Sequence, residues 1–303
     1  MKRVLVTGGT GFVGRQTLAP LVARGFDVHA VSRSAARPAV TGVTWHTIDL
    51  LEPGAAAPLV ATVRPTHVLH LAWCLAPGVY LQSVENLGWV RASLELAEAF
   101  AASGGRRWTA AGSCFEYDLR HGYCSERLTP LAPASLYGVA KVAAQTTVSA
   151  YCRQAGVSEA WGRIFFLYGP HEHPKRLVAD VTQALLAGEP ARCSHGRQIR
   201  DFLHVGDVAA ALVALVDSPV EGAVNVGSGE PVALSDVIGR IGSAIGRPDL
   251  IQLGARPAPP DEPPLVVADT RRLRDEVGWT PAYDLTRGLD DTIAWWRAAL
   301  TGA

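Results

Sequence analysis

Short apolar runs alternate with longer amphipathic stretches through the first half of the chain. Five of the runs have the length and composition of strands, at residues 2–6, 27–31, 43–48, 66–71 and 107–111. Helical spacing of apolar residues separates or follows them, at residues 15–24, 81–103 and 133–156. Strands that alternate with helices in this way predict an α/β fold built on a doubly wound parallel sheet.

A glycine-rich turn, TGGTGFVG at residues 7–14, joins the first strand to the first helix. Strand, glycine turn and helix in this order form the context that a dinucleotide-binding turn requires, and the absence of G-K-[ST] argues against a P-loop. The glycines allow a tight turn, close approach of a pyrophosphate and packing of helix on strand, and the helix N-terminus attracts phosphate. The predicted contacts are Gly8, Gly11, Phe12, Val13 and Gly14.

The end of the second strand indicates which dinucleotide binds. NAD-preferring sites place an acidic residue here, whereas the 2′-phosphate of NADP requires a cation and hydroxyl donors. Ser32 and Arg33 occupy this position, so NADP is the predicted cofactor and NAD the alternative. Cofactors also contact the carboxyl ends of the neighbouring strands, where the chain has Asp49, Leu50, Leu71 and Ala72.

Tyr137 and Lys141 lie four residues apart in a predicted helix, which places them on one face. A free phenol has a pKa near ~10, and a neighbouring ammonium lowers it. The pair therefore has the composition of a general acid or base. By itself the spacing is common, and its support comes from the rest of the chain.

Seven motifs occur together and in order: T-G-G-T-G-F-V-G, D-L, H-L-A, G-S-x-x-x-Y, Y-x-x-x-K, R-x-x-x-x-Y-G-P and R-D-F-x-H-V-x-D-V. They resemble the extended short-chain dehydrogenase/reductase family, and more narrowly its enzymes that epimerise, dehydrate or reduce nucleotide-diphosphate sugars. The resemblance extends from Val4 to about Trp296. It implies a Rossmann domain at residues 1–162 and a smaller C-terminal α/β substrate lobe at 163–303, with some segments returning to the first domain.

The resemblance also assigns roles to individual residues. It implies that Tyr137 is the acid/base, that Lys141 lowers its pKa and holds the nicotinamide ribose, and that Ser113 binds the substrate oxygen. Two hydroxyl groups at a carbonyl oxygen stabilise the charge that develops as hydride arrives. Further substrate contacts are expected at five positions, with the arginines as candidates to bind the diphosphate or lie beside it: Cys114, Phe115, Arg176, Arg200 and Arg256.

Three reactions of the family are compatible with these residues. The main prediction is reduction of the 4-keto group of a nucleotide-diphosphate 4-keto-6-deoxyhexose by NADPH. The first alternative is an NAD-dependent 4-epimerase, and the second is an epimerase-reductase of the GDP-fucose synthase type, for which Cys114, His171 and His173 are the relevant residues. Dehydration is excluded, because Cys114 and Phe115 stand where the dehydratases have an Asp-Glu pair.

Composition excludes several other classes of function. Lys plus Arg and Asp plus Glu number 28 each, without a basic stripe, so neither nucleic acid nor membrane is an expected partner. Five scattered cysteines predict no disulfide framework and no metal site, and they favour a cytoplasmic location. The alanine-rich helices at 81–103 and 133–156 resemble the family's dimer interface, which implies a homodimer.

Overall fold

The computed structural model describes residues 2–302. Its strands are β1 Arg3–Thr7, β2 Asp27–Ser32, β3 Val43–Thr47, β4 His67–His70, β5 Arg107–Ser113, β6 Tyr123–Cys124, β7 Ser158–Ile164, β8 Phe166–Tyr168, β9 Ala191–Arg192, β10 Ile199–His204, β11 Gly222–Val226, β12 Pro231–Ala233, β13 Ile251–Gln252 and β14 Leu265–Ala268. Its α-helices are α1 Gly14–Ala23, α2 Ala56–Val63, α3 Glu85–Ala102, α4 Leu136–Ala155, α5 Leu177–Leu186, α6 Val205–Val216, α7 Leu234–Ile245 and α8 Leu285–Thr301.

A seven-stranded parallel sheet forms the larger part of the molecule, in the order β11-β7-β5-β4-β1-β2-β3. This is the Rossmann order with one added strand, and it confirms the predicted fold class. One face packs against α2, α3 and α4 through residues such as Val60, Leu96 and Val148. The other face packs against α1 and α6 through residues such as Leu18 and Leu212.

The last strand and the last helix of this layer come from the second half of the chain. Strand β11 pairs with β7 in parallel register, from Gly222 opposite Ala160 to Val226 opposite Ile164. Helix α6 connects β10 to β11 and is buried along most of its length. The chain therefore crosses from β10 of the small lobe through α6 back to the large sheet, and the small lobe lies beside that sheet.

The small lobe contains a second, mixed sheet with the order β12-β10-β14-β6, and β8 pairs with β10 beyond this path. Helices α5, α7 and α8 bury a separate cluster against it that includes Val181, Ile238 and Ile293. Strand β10 is central, since it pairs with β8 at one end and with β12 and β14 at the other. It thereby carries Arg200 and His204 at fixed positions in this lobe.

Helix boundaries depart from the sequence expectations in ways that have local causes. Helix α4 begins at Leu136, not at Pro133, because the Ser135 hydroxyl caps it by accepting from the Gly138 N–H at 3.2 Å. Helix α3 begins at Glu85, since the preceding residues form turns held by the Asn86 side chain. Helix α2 has no counterpart among the predicted elements. No helix within residues 2–302 combines the length and apolarity of a membrane span.

Candidate active site

A cavity of about 610 Å³ opens at the carboxyl edge of the large sheet and extends against the small lobe. Its wall contains the glycine turn, the ends of β2 to β5, the start of α4 and part of β10. Every residue that the sequence predicts for the site lines this cavity except Arg256 and His171, the latter a candidate for the epimerase-reductase alternative. The structure thus brings together groups that are far apart in the chain, from Gly8 in the first turn to Arg200 in the small lobe.

Steric contacts of the backbone require glycine in the turn. Gly8 has φ +70°, and a Cβ there would lie 2.8 Å from the Ala72 nitrogen at the end of β4. A Cβ on Gly14 would lie 2.0 Å from the Gly8 carbonyl oxygen. The Gly11 N–H donates to that same oxygen at 2.9 Å, which closes the turn in front of α1. Space for a pyrophosphate at the helix N-terminus therefore depends on the absence of these side chains.

The end of β2 carries the groups that were expected to distinguish NADP from NAD. Ser32 is 3% exposed, and its hydroxyl donates to the Ser34 carbonyl at 2.7 Å while accepting from the Ser34 N–H. Arg33 is exposed at the rim of the cavity. Asp49 accepts from the Leu51 N–H at 3.0 Å. The Ser32 hydroxyl therefore stabilises the turn after β2. Arg33 presents an exposed positive charge at the cavity rim, where the adenosine ribose of a cofactor is expected.

Tyr137 and Lys141 lie on the buried face of α4, with 5% and 4% exposure. Burial raises the pKa of the Tyr137 phenol, and a hydrogen bond with the Ser113 hydroxyl acts in the opposite direction. Burial lowers the pKa of Lys141 to about 7. The tyrosine hydroxyl, the serine hydroxyl and the lysine amine therefore share one desolvated corner of the cavity.

The contacts of Lys141 lie mainly with β5 and Trp73. Its Nζ donates to the Ala111 carbonyl at 2.8 Å and lies 3.7 Å from the centre of the Trp73 ring, but 5.9 Å from the centre of the Tyr137 ring. The charge of Lys141 is not among the principal influences on the pKa of Tyr137, which burial dominates. Spacing on a helix places two residues on one face, but it does not determine where a long flexible side chain ends.

Ser113 is held by a buried network at the end of β5. Its N–H donates to Glu116 at 2.8 Å, and Glu116 also accepts from Trp161 at 2.9 Å and pairs with Arg163 at 2.6 Å. Glu116 and Arg163 have side-chain exposures of 0% and 2%. The motifs include Arg163 but give no reason to select Glu116. A glutamate three positions after the serine, as in a capping box, is the available signal.

Cys114 and Phe115 differ in how they face the cavity. Cys114 is 2% exposed and packs in a small apolar cluster with Tyr117 and Cys124. Burial raises the pKa of its thiol, so it remains neutral and packs as a small apolar residue. The Phe115 ring lies edge-on to Tyr137 with the ring centres 6.4 Å apart. Neither residue supplies a carboxylate to the sugar site.

The three predicted arginines of the small lobe have different surroundings. Arg200 is 3% exposed, donates to Glu262 at 2.8 Å and lies over Phe166. Arg176 lines the cavity with its guanidinium 5.3 Å from the centre of the Tyr80 ring. Arg256 departs from the expectation: it lies outside the cavity wall and pairs with Asp180 at 3.0 Å. The backbone of Arg256 is held beside β9, because its N–H donates to the Cys193 carbonyl at 3.0 Å.

His173, named for the epimerase-reductase alternative, lines the cavity, and five further lining residues were not singled out from the sequence: Trp73, Tyr80, Trp89, Glu172 and Glu262. The first three are aromatic residues, of which Trp73 and Tyr80 lie between β4 and α3 and Trp89 lies in α3, and their aromatic character was the available signal. Glu172 is 6% exposed, and burial raises its pKa to about 8. His171 is outside the cavity wall, where it bonds to Arg15 at 2.7 Å and packs on Trp295. Within residues 2–302, no cluster of three or more side chains could hold a metal ion.

Comparison with known proteins shows the family of the chain. The model of the NAD dependent epimerase/dehydratase family matches residues 4–227. UDP-glucuronic acid decarboxylase 1 of Xenopus tropicalis is 28% identical over 99% of this chain and 73% of its own length. UDP-glucuronate 4-epimerase 4 of Arabidopsis thaliana is 25% identical over 99% of this chain and 76% of its own length.

Solved structures resemble the whole molecule. UDP-glucose 4-epimerase of Thermus thermophilus, in complex with NAD, is 27% identical with a TM-score of 0.88, covering 98% of this chain and 99% of that chain. MoeE5, in complex with UDP-glucose and NAD, is 31% identical with a TM-score of 0.85 and the same coverage.

Proposed function

The chain belongs to the NAD-dependent epimerase/dehydratase family, and we propose that it is a 4-epimerase of UDP-sugars that uses tightly held NAD. The observation that carries this proposal is the single cavity, which joins the glycine turn, the Ser113–Tyr137–Lys141 corner and Arg200. The glycine turn in this wall suits the pyrophosphate of a dinucleotide, and Arg200 suits the diphosphate of a nucleotide sugar. The relatives support UDP-sugars and NAD, and favour epimerisation over the reduction that the sequence had indicated.

NAD, when bound, supplies reversible hydride transfer, and the chain supplies the proton transfer and the positioning. Tyr137, as the phenolate, would take the proton from the C4 hydroxyl of the sugar and later return it. The hydrogen bond from Ser113 favours the phenolate, and the positive charge of bound NAD would favour it further. Ser113 donates a hydrogen bond to the same oxygen, which stabilises it while it is a carbonyl. Lys141 holds the nicotinamide ribose with its ammonium group. All three groups are buried, so water does not compete for the proton.

Epimerisation also requires that the keto sugar intermediate rotate within the site, so that its opposite face is presented to the nicotinamide, without dissociating. The rings of Phe115 and Tyr80 pack edge-on against Tyr137, so much of the wall beside it is aromatic surface. Arg200 offers the guanidinium that binds the diphosphate, once that group replaces Glu262 as its partner. The substrate is then anchored at the diphosphate and loosely held at the hexose.

A second candidate function is the NADPH-dependent reduction of a nucleotide-linked 4-keto sugar. The observation that favours it is the exposed Arg33 at the cavity rim, together with the absence of an acidic residue after β2. Dehydration has no such support, because positions 114 and 115 bring a neutral thiol and a phenyl ring to the sugar site.

One experiment separates the two candidates. Purified protein is incubated with UDP-glucose or UDP-glucuronate and NAD, and in parallel with nucleotide-linked 4-keto-6-deoxysugars and NADPH or NADH. The proposal predicts interconversion of C4 epimers without net change in absorbance at 340 nm. Net oxidation of NADPH with a keto sugar, and no epimer from either UDP-sugar, would contradict the proposal and support the reductase.

A further inference from the structure

Lys141 carries its charge in an unusual setting. Its Nζ is bound by one carbonyl, that of Ala111, and is covered by the ring of Trp73 at 3.7 Å from the ring centre. Glu116 is the carboxylate that favours the ammonium form, and it is already paired with Arg163. Burial disfavours the ammonium form of a lysine that has no carboxylate partner of its own, so other contacts must stabilise the charge. Among aromatic side chains, the face of an indole ring attracts a cation most strongly.

The Trp73 ring is itself fixed in position from several sides. Its Nε1 donates to the Asn86 side-chain oxygen at 2.8 Å. Asn86 in turn donates to the carbonyls of Tyr80 and Ser83, both at 2.8 Å. The ring stacks on Trp89 at 6.2 Å between centres. These contacts fix the orientation of the Trp73 ring, with one face of the indole towards the Lys141 amine.

Other titratable groups near Lys141 do not replace this contact. His70, on β4, is fully buried and hydrogen-bonded to Thr7 and Ser93, and burial lowers its pKa to about 3, so it is neutral. Tyr137, on α4, is a neutral phenol in the free protein because burial raises its pKa. Glu116, in the turn after β5, forms an ion pair with Arg163. No second free carboxylate faces the amine from these elements.

We propose that Trp73 is a positioning residue: its ring face holds the Lys141 ammonium in the cavity and keeps it protonated, which sets the pH range in which the Ser113–Tyr137–Lys141 corner works. The inference rests on the proposed function, since that function assigns the corner its role. It does not depend on which of the two candidate reactions takes place, because both require the same lysine charge.

The test compares Trp73→Leu, Trp73→Phe and the control Trp89→Leu, each checked for folding by thermal unfolding. Loss of the ring face disfavours the charged form, so the pKa of Lys141 falls and the high-pH limb of kcat/KM moves to lower pH. We expect a move of about one pH unit in Trp73→Leu, because a buried cation–π contact shifts protonation roughly tenfold. Phe retains a weaker ring face and should restore part of the shift. Trp89→Leu removes a ring that stacks on Trp73 but is not the one that covers the amine, so it should move the limb by less than Trp73→Leu does.

A second measurement needs no turnover, so it separates failure of this inference from failure of the proposed function. The affinity for NADH is measured by calorimetry from pH 6 to 9 in the wild type, both Trp73 variants and Lys141→Met. An ammonium donates stronger hydrogen bonds to ribose hydroxyls than an amine does. The midpoint should lie about one pH unit lower in Trp73→Leu than in the wild type, and Lys141→Met should have no inflection in this range. Equal midpoints in wild type and Trp73→Leu, or an equal shift in Trp89→Leu, would overturn the inference.

Discussion

The two walls of the cavity differ in what holds their residues. On the large-sheet wall, backbone geometry fixes the glycine turn, and buried polar contacts fix Ser113 and Lys141. On the small-lobe wall, the Arg200 guanidinium is held by Glu262 from a proline-rich loop. Arg256 of the same loop lies outside the wall, in an exposed pair with Asp180. Under the proposed function, we expect the large-sheet wall to hold the reacting groups and Arg200 of the small-lobe wall to exchange Glu262 for the substrate diphosphate.

The largest effect is expected on the large-sheet wall. Tyr137→Phe removes the proton-transferring hydroxyl while keeping the ring that packs against Tyr80 and Phe115. Epimerisation should fall by about 10²–10⁴-fold in kcat, with NAD still bound. Turnover is measured by chromatography of the UDP-sugars. A variant with full activity would remove Tyr137 from the mechanism.

A second substitution tests whether the backbone fixes the glycine turn. Gly14→Ala places a Cβ 2.0 Å from the Gly8 carbonyl oxygen. It should destabilise the fold by roughly 1–3 kcal/mol and abolish retention of NAD. The readouts are denaturant unfolding and the cofactor content after purification.

Gly239→Ala is the matched control for this change. Gly239 lies inside α7, and a Cβ there has nothing within 4 Å. The control should be neutral or stabilising by about 0.4–1 kcal/mol, since alanine reduces the entropy of the unfolded chain. Equal losses in both variants would refute the steric account of the turn.

The small-lobe wall should respond in KM and not in kcat. Arg200→Gln removes a buried charged donor, and KM for the UDP-sugar should rise roughly ten- to hundredfold because charged hydrogen bonds contribute about 1.5–3 kcal/mol. Arg256→Gln should change KM less than about threefold, as expected for an exposed ion pair. Steady-state kinetics of both variants decide this. A larger effect at Arg256 would mean that its loop closes onto the substrate.

The smallest effect concerns the buried carboxyl of Glu172 on the small-lobe side. Its pKa is raised to about 8 by burial, so between its ordinary range and about pH 8 the folded protein holds a proton that the unfolded chain releases. Stability therefore decreases as the pH rises through this window. Glu172→Gln should reduce the loss of Tm between pH 5 and 8 by several degrees. The exposed Glu230→Gln is the control, and an unchanged slope in Glu172→Gln would contradict the assigned burial effect.

The two walls also differ in how far the sequence predicts them. Gly8 and Gly14 are predictable because a steric requirement of the local backbone leaves one residue type, and Tyr137 because helix geometry fixes its face. Arg256 is not, since its position depends on how a proline-rich loop folds against α5.

Trp73 and Glu172 illustrate a second limit on prediction. Their roles come from contacts with residues far along the chain or in the next element, Lys141 and the start of α5, and no local pattern encodes such contacts. The division into lobes at residues 162 and 163, the individual roles of the site residues and the homodimer remain predictions.

The proposal that hydride leaves and returns at C4 can be tested with UDP-glucose and UDP-glucuronate that carry deuterium at C4. Both are incubated with the protein and NAD in ordinary water, and the products are examined by NMR and mass spectrometry. The account predicts a C4 epimer that retains its deuterium, with no hydrogen taken from water at C4 or C5. An epimer that has exchanged its deuterium with water, or the absence of any epimer alongside net NADPH oxidation with a keto sugar, would contradict it.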